Sequence, residues 1–174
     1  MLIPGHDSIL QRLLSVAGDT VYASAANVLA RLALVANKHL MGNAGGTAPE
    51  WVCPYKVVLG TRDMTAASGD VAYTGAGFKP SAVIVFACVE GLTAMSIGMF
   101  DGTAGSSIAD YSVGGAGANV WTSGGVNQIN LVTSAAGTNQ QAIWKSWDSD
   151  GMTLTWTKNG SPTGDAYLRK MYFR

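Results

Sequence analysis

Ala142-Ile143-Trp144-Lys145-Ser146-Trp147, then Asp148-Ser149-Asp150-Gly151, then Met152-Thr153-Leu154-Thr155-Trp156-Thr157 is the stretch that decides the fold class. Met152, Leu154 and Trp156 alternate with Thr153, Thr155 and Thr157. In a strand, that order puts three large apolar groups on one face and three threonines on the other. The intervening Asp148-Ser149-Asp150-Gly151 is built of turn formers, so the spacing predicts a hairpin with Met152, Leu154 and Trp156 facing a core. Downstream, Asn159-Gly160-Ser161-Pro162-Thr163-Gly164 turns the chain again. Residues 166–173 then read as a last strand with Tyr167, Met171 and Phe173 on one face.

Upstream, Ala82-Val83-Ile84-Val85-Phe86-Ala87-Cys88-Val89 is β-branched and apolar throughout, the pattern of a central strand buried on both faces. Residues 56–59, 69–74 and 94–100 read as further strands, the last ended by the turn signal Asp101-Gly102. Weaker strand signals lie at 108–111, 119–122 and 127–132. Short strands at regular spacing predict an antiparallel β-sandwich over residues 53–174, so the chain as a whole is mostly β. Residues 104–117 and 134–139 are small, polar and Gly-rich and are expected as outward loops, where binding concentrates on a rigid scaffold.

Residues 1–52 differ in composition. Asp7 or Ser8 can cap a helix in which Ile9, Leu10, Leu13, Leu14 and Ala17 form an apolar stripe, with Gly18 placed to stop it. A helix of about ten residues is marginal alone in water, so its stripe must dock on something. The following Ser24-Ala25-Ala26-Asn27-Val28-Leu29-Ala30-Arg31-Leu32-Ala33-Leu34 leaves two readings open, a second helix or a turn between two strands. Gly42-Asn43-Ala44-Gly45-Gly46-Thr47-Ala48-Pro49 reads as a loop. Ile9, Leu10, Leu13, Leu14, Val28, Leu29 and Leu32 are therefore the candidate anchoring and oligomerisation residues.

Composition narrows the function. The chain has 174 residues, eleven Lys plus Arg against eleven Asp plus Glu, 13% charged residues and 48% hydrophobic ones. Such a chain can bury a core and is not of the disordered class. Without excess positive charge it is not a nucleic-acid binder working through a basic patch. A charge fraction about half the usual 25% leaves Gly, Ala, Ser and Thr to cover the surface, which suits a protein that lives in an assembly. The first residues lack the basic and apolar regions of a signal peptide, and the longest apolar run is far short of the roughly 20 residues that span a bilayer. Synthesis in the cytoplasm without membrane insertion is the expectation. Cys53 and Cys88 are too few for a disulfide scaffold, and Cys88, inside an apolar run, reads as a buried thiol.

Chemistry-bearing motifs are sparse. His6 and His39 stand in no metal-ligand spacing, and no nucleophile elbow, phosphate loop or dinucleotide fingerprint occurs. Gly114-Gly115-Ala116-Gly117 does not lead from a strand into a helix and reads as a flexible loop. Asp148-Ser149-Asp150-Gly151 has the alternate carboxylates that open a calcium loop, but Thr and Trp occupy the stretch where the closing carboxylate belongs; a plain hairpin turn is favoured. Nine Asp and two Glu, mostly in turn contexts, single out no pair for glycoside hydrolysis. Trp144, Trp147 and Trp156 read as core before they read as a sugar platform. No catalytic, cofactor-binding or metal-binding residue is named, and a non-enzymatic protein without cofactor is expected.

Two stretches resemble a known group. Gly18-Asp19-Thr20-Val21-Tyr22-Ala23-Ser24-Ala25-Ala26-Asn27-Val28-Leu29-Ala30-Arg31-Leu32-Ala33, with Asn43-Ala44-Gly45-Gly46-Thr47-Ala48-Pro49-Glu50-Trp51, resembles the shaft or linker repeat of tailed-bacteriophage fibre proteins. That family usually carries a Gly-Thr-x-Gly-Gln turn after the Arg-Leu-Ala; here Leu34-Val35-Ala36-Asn37-Lys38-His39 replaces it, which suggests a longer helix at that place. Gly77-Phe78-Lys79-Pro80-Ser81-Ala82-Val83-Ile84-Val85-Phe86-Ala87, with the residues 148–164 hairpin and turn, is similar to the C-terminal β-domain of many phage fibre and virion-associated proteins. The resemblance implies a virion structural protein, a homotrimer whose N-terminal segment attaches to other virion proteins of capsid or tail. A short fibre whose β-domain adheres to a host-surface glycan is the first functional expectation. A capsid decoration or cement protein that stabilises the particle is the alternative, and a glycan hydrolase is a distant third.

Overall fold

The computed structural model describes residues 20–25, 28–33, 35, 36, 38–42, 48–113, 116–125, 127–133 and 137–174. Every regular element among them is a β-strand. The chain divides into two compact units, one through Pro54 and one from Tyr55 onward.

The described residues of the first unit include two antiparallel strand pairs. Strand β1 (Thr20–Ala25) pairs antiparallel with β2 (Val28–Leu32), Thr20 opposite Leu32, and β3 (His39–Gly42) pairs with β4 (Pro49–Val52), His39 opposite Val52. The described residues among 24–34 lie mainly on two paired strands and not on a helix; Thr20, Val21 and Tyr22 at the start of β1 favour a pleated backbone. Val28, Leu29 and Leu32 lie on β2. The described residues at the place of the suggested longer helix are not helical: Ala33, Val35, Ala36 and Lys38 are outside any helix, and His39 opens β3. The helix expected over residues 7–17, with Ile9, Leu10, Leu13 and Leu14, lies outside the described residues.

The second unit contains β5 (Tyr55–Asp63), β6 (Gly69–Thr74), β7 (Ala82–Val89), β8 (Met95–Phe100), β9 (Gly105–Val113), β10 (Ala116–Gly125), β11 (Asn127–Val132), β12 (Asn139–Asp148), β13 (Gly151–Asn159) and β14 (Asp165–Phe173). They form a six-stranded sheet in the order β10-β9-β8-β7-β14-β5 and a four-stranded sheet in the order β11-β12-β13-β6. All pairings are antiparallel. The inner faces share one core, in which Val83, Val85, Leu168 and Tyr172 of the larger sheet meet Ile129, Leu131, Leu154 and Trp156 of the smaller. Met152, Leu154 and Trp156 are fully buried, the face that alternation selected.

Three expectations are corrected. β7 is an interior strand, yet only Val83, Val85, Ala87 and Val89 are buried; Ile84 is half-buried, and Phe86 and Cys88 are exposed. The four-stranded sheet covers one side of β7, and the other side is left exposed at Phe86 and Cys88. For the same reason Cys88 is an exposed free thiol rather than a buried one. Residues 104–117 are not an outward loop, since Gly105–Val113 and the start of β10 pair as a hairpin. In the second expected loop, residues 134–136 lie outside the described residues and Asn139 opens β12.

Gly98 shows how closely the two layers approach. β11 packs against β8, and a Cβ on Gly98 would collide with the main-chain carbonyl of Gln128. Because backbone opposes it, Gly98→Ala is expected to cost about 1–3 kcal/mol by overpacking. Urea unfolding checks this: an unchanged midpoint would show that β8 and β11 separate freely.

Candidate functional site

The outer face of the six-stranded sheet is the most unusual surface of the second unit. Directly paired residues of adjacent strands share a face, so the register builds rows across five strands. One row runs Val57, Met171, Ile84, Met99, Ser106. The next runs Leu59, Arg169, Phe86, Ile97, Ile108, and the third Thr61, Tyr167, Cys88, Met95, Asp110. Tyr55, Val57, Leu59, Phe86, Met95, Ile97, Met99 and Ile108 are each 37–63% exposed. Two shallow grooves cross the face. One of about 470 Å³ lies among Ile84, Met99, Ser106 and Phe173, and one of about 270 Å³ among Phe86, Met95, Ile97, Tyr167 and Arg169.

Two charges interrupt this face. Arg169 is exposed, and among the described residues its Nη1 reaches only the Leu168 carbonyl, at 3.5 Å. Asp110 is half-buried, and its Oδ1 is shielded from solvent without a hydrogen-bond partner among the described residues.

Carboxylates in the turns serve the fold. Ser149 and Asp150 form the tip of the β12–β13 hairpin, in which Asp148 pairs with Gly151. Asp150 accepts bonds from the amides of Gly77 and Gly75, which hold its carboxyl below the usual carboxylate range. Asp148 accepts from the Ser146 and Thr153 hydroxyls at 2.9 and 2.8 Å. The oxygens of the motif weighed for calcium are thus engaged by the hairpin and by the segment after β6. Asp70, bonded first by Lys145 and then by Thr155, and Asp101, bonded by the amides of Ala104 and Thr103, are also held below the usual range. No group of three or more His, Cys, Asp and Glu suited to a metal ion occurs among the described residues.

A chain of polar and aromatic groups crosses the core. Lys170, 1% exposed, faces inward from β14 and sets its ammonium 4.3 Å from the Tyr73 ring centroid. Gly60, which pairs with Leu168 on the neighbouring strand, leaves the room, since a Cβ there would meet Lys170 Nζ. Burial pulls Lys170 down to about 8 and pushes Tyr73 up to about 12. Burial also raises Tyr172, whose hydroxyl donates to the Tyr73 carbonyl at 3.4 Å. Arg62 lies 5.2 Å from the Trp156 ring centroid and donates to Gln140 Oε1 at 2.9 Å. Gln140 Nε2 in turn donates to the carbonyls of Met64 and Ala66 at 2.7 and 3.1 Å.

Trp156 belongs to this core, while Trp144 and Trp147 pack at its margin around Phe100, with ring centroids 4.6 and 5.8 Å from the phenyl ring. Beside them a cleft of about 380 Å³ is lined by Phe100, Thr103, Ala104, Gln128, Ile143 and Trp144. Sequence reasoning missed the outer face and Lys170. The signals were present: the unbroken apolar run of β7, and Tyr167, Met171 and Phe173 sharing one side of β14.

The candidate anchoring residues are not brought together by what is described. Val28, Leu29 and Leu32 share one strand, and the other four precede the described residues. No protein-family model, curated protein or solved structure matches the chain.

Proposed function

We propose that this chain is a structural protein of a tailed-bacteriophage virion, a short homotrimeric fibre. Residues 1–17 attach it to a capsid or tail protein, and its β-domain faces the host surface. The observation that carries an assembly role is the outer sheet face, on which apolar side chains from four strands are exposed. The resemblance of residues 18–51 to fibre shaft repeats supports the particular assembly. The Trp144 cleft, with an aromatic ring beside Gln128 and Thr103, has the chemistry of a site for a sugar of a surface glycan.

Purified particles test the reading. The protein is expected among virion proteins by mass spectrometry, and deletion of residues 1–17 is expected to yield soluble chain that no longer joins the particle. Full occupancy by the truncated chain would move the anchor elsewhere. Particles lacking the protein are expected to adsorb poorly to host cells. Normal adsorption with lost heat stability would replace the fibre by a decoration or cement protein on the capsid.

A further inference from the structure

The geometry points to the cleft beside Trp144 as a site for an uncharged N-acetylhexosamine unit, whose acetamido carbonyl accepts a hydrogen bond from the Gln128 side-chain amide. This rests on the glycan-adhesion reading above and adds the sugar class and the group that recognises it.

Gln128 is the first argument. Along the β11–β12 pair, Asn127 faces Ile143 and Ile129 faces Ala142, so Gln128 is the extra residue of a β-bulge. A bulge takes a side chain out of the regular alternation and re-aims it. Gln128 is 2% exposed, and its Oε1 accepts from the main-chain amide of Trp144. A carboxamide carries its acceptor and its donors on separate arms, so that bond fixes which way Nε2 points. Nε2 lies beside Gly105, where a Cβ would come within 2.4 Å of it. Gln128 and Gly105 both line the cleft, and Nε2 has no acceptor among the described residues. A buried donor without an acceptor is costly, and a ligand that brings a carbonyl oxygen removes that cost.

The rest of the lining selects the ligand. Phe100 and Trp144 stack with ring centroids 4.6 Å apart and an interplanar angle of 27°. Ile143 is 36% exposed, and Ala104 is exposed at the rim. Among the described residues, no charged side chain lines the cleft. An acidic or cationic sugar therefore finds no counter-charge there. A plain hexose offers hydroxyls to Gln128 but nothing to the apolar wall beside it. An acetamido group carries a carbonyl oxygen and a methyl group on one carbon, which match the amide donor and that wall together. The aromatic pair suits the apolar face of the pyranose ring. A volume of about 380 Å³ is at the small end of the roughly 300–1,000 Å³ of ligand pockets, which fits a short sugar segment. The rim is also set in advance. Asp101 Oδ1 accepts from the amides of Thr103 and Ala104 at 2.9 and 2.8 Å, so that turn needs no ordering when a ligand arrives.

Saturation-transfer NMR on the full chain tests this, with N-acetylglucosamine, N-acetylgalactosamine, glucose and the cationic glucosamine as probes. Transfer is expected to an acetylated sugar, strongest at its acetyl methyl protons, with a Kd on the order of 1 mM for so small a ligand. Glucose and glucosamine are expected to bind about tenfold more weakly or worse. Gln128→Glu keeps an oxygen for the Trp144 amide and replaces the donor by an acceptor; it is expected to weaken binding of the acetylated sugar by about tenfold or more. Should that variant fail to fold, Ala104→Arg changes only the exposed rim and is expected to abolish binding by filling the cleft. Equal binding of glucose and the acetylated sugars, no binding of either acetylated sugar, or binding that survives Ala104→Arg overturns the proposal. If particles lacking the chain adsorb poorly while the chain ignores all four sugars, the cleft assignment falls and the fibre reading stands. If the chain binds as expected but is absent from virions, the cleft stands and the fibre reading falls.

Discussion

Trp156→Ala is expected to remove about 3–5 kcal/mol of folding stability, the loss typical of a large buried aromatic truncated to a methyl group. Trp156 is 0% exposed, lies on an interior strand of the four-stranded sheet between Ala142 and Gly69, and packs into the core shared by both sheets. Its removal leaves a cavity that the rigid sheets cannot collapse to fill. It also strips Arg62 of the ring that lies 5.2 Å from its guanidinium carbon. Domains of this size are stable by only about 5–15 kcal/mol, so the variant is expected to unfold at a much lower urea concentration. Trp156→Phe keeps part of the ring and should lose less. A loss below about 1 kcal/mol for the alanine variant would place Trp156 outside the core and revive it as a sugar-stacking platform.

The second large effect is a pH dependence set by Lys170. Burial holds its amine at about 8, against an ordinary value near 10.5 in the unfolded chain. Below pH 8 both states carry the charge, and the folded state bears the full cost of an ammonium stabilised mainly by the Tyr73 ring. Between about 8 and 10.5 the unfolded chain binds more protons than the folded one, so stability rises with pH across that window. The tyrosines act in the opposite sense. Tyr73 is pushed up to about 12 and Tyr172 is also raised, so above about pH 10 the folded chain holds protons that the unfolded chain has released. Stability is therefore expected to climb from pH 8, turn over near pH 10 and fall beyond it. Lys170→Met keeps the apolar stem and removes the charge; it is expected to raise stability at pH 7 by about 1–3 kcal/mol and to abolish the climb. Urea midpoints of the two proteins from pH 7 to 10.5 measure the difference, to which other titrating groups contribute equally. Parallel profiles would mean that water reaches the Lys170 amine.

These two residues also mark how far local pattern reaches. The alternation of Met152, Leu154 and Trp156 with threonines has one apolar side, so it names both the strand and its buried face, and the structure buries that face. Turn chemistry is equally local: Asp148-Ser149-Asp150-Gly151 and residues 159–164 turn where their Gly, Asn, Asp and Pro place them. Residues 104–117 failed because small polar residues in a strand resemble a loop, and pairing with β8 decides between the two. On β14 the pattern was degenerate. Tyr167, Met171 and Phe173 lie on one side and Leu168 and Tyr172 on the other, so alternation cannot say which side is inner.

Tertiary structure resolved that choice by laying the four-stranded sheet against Ala166, Leu168, Lys170 and Tyr172. It thereby buried a lysine that no sequence rule places in a core, in the space that Gly60 leaves open. The same choice left Phe86 and Cys88 outside, on a strand whose residues are apolar on both sides. Outside residues 104–117, the sequence by itself determined where most strands and turns of the second unit fall and that this unit is antiparallel β, because strand period and turn propensity act between residues near in the chain. Which face of each doubly apolar strand is inner depends on what packs against it, and those contacts come from residues far apart in the chain.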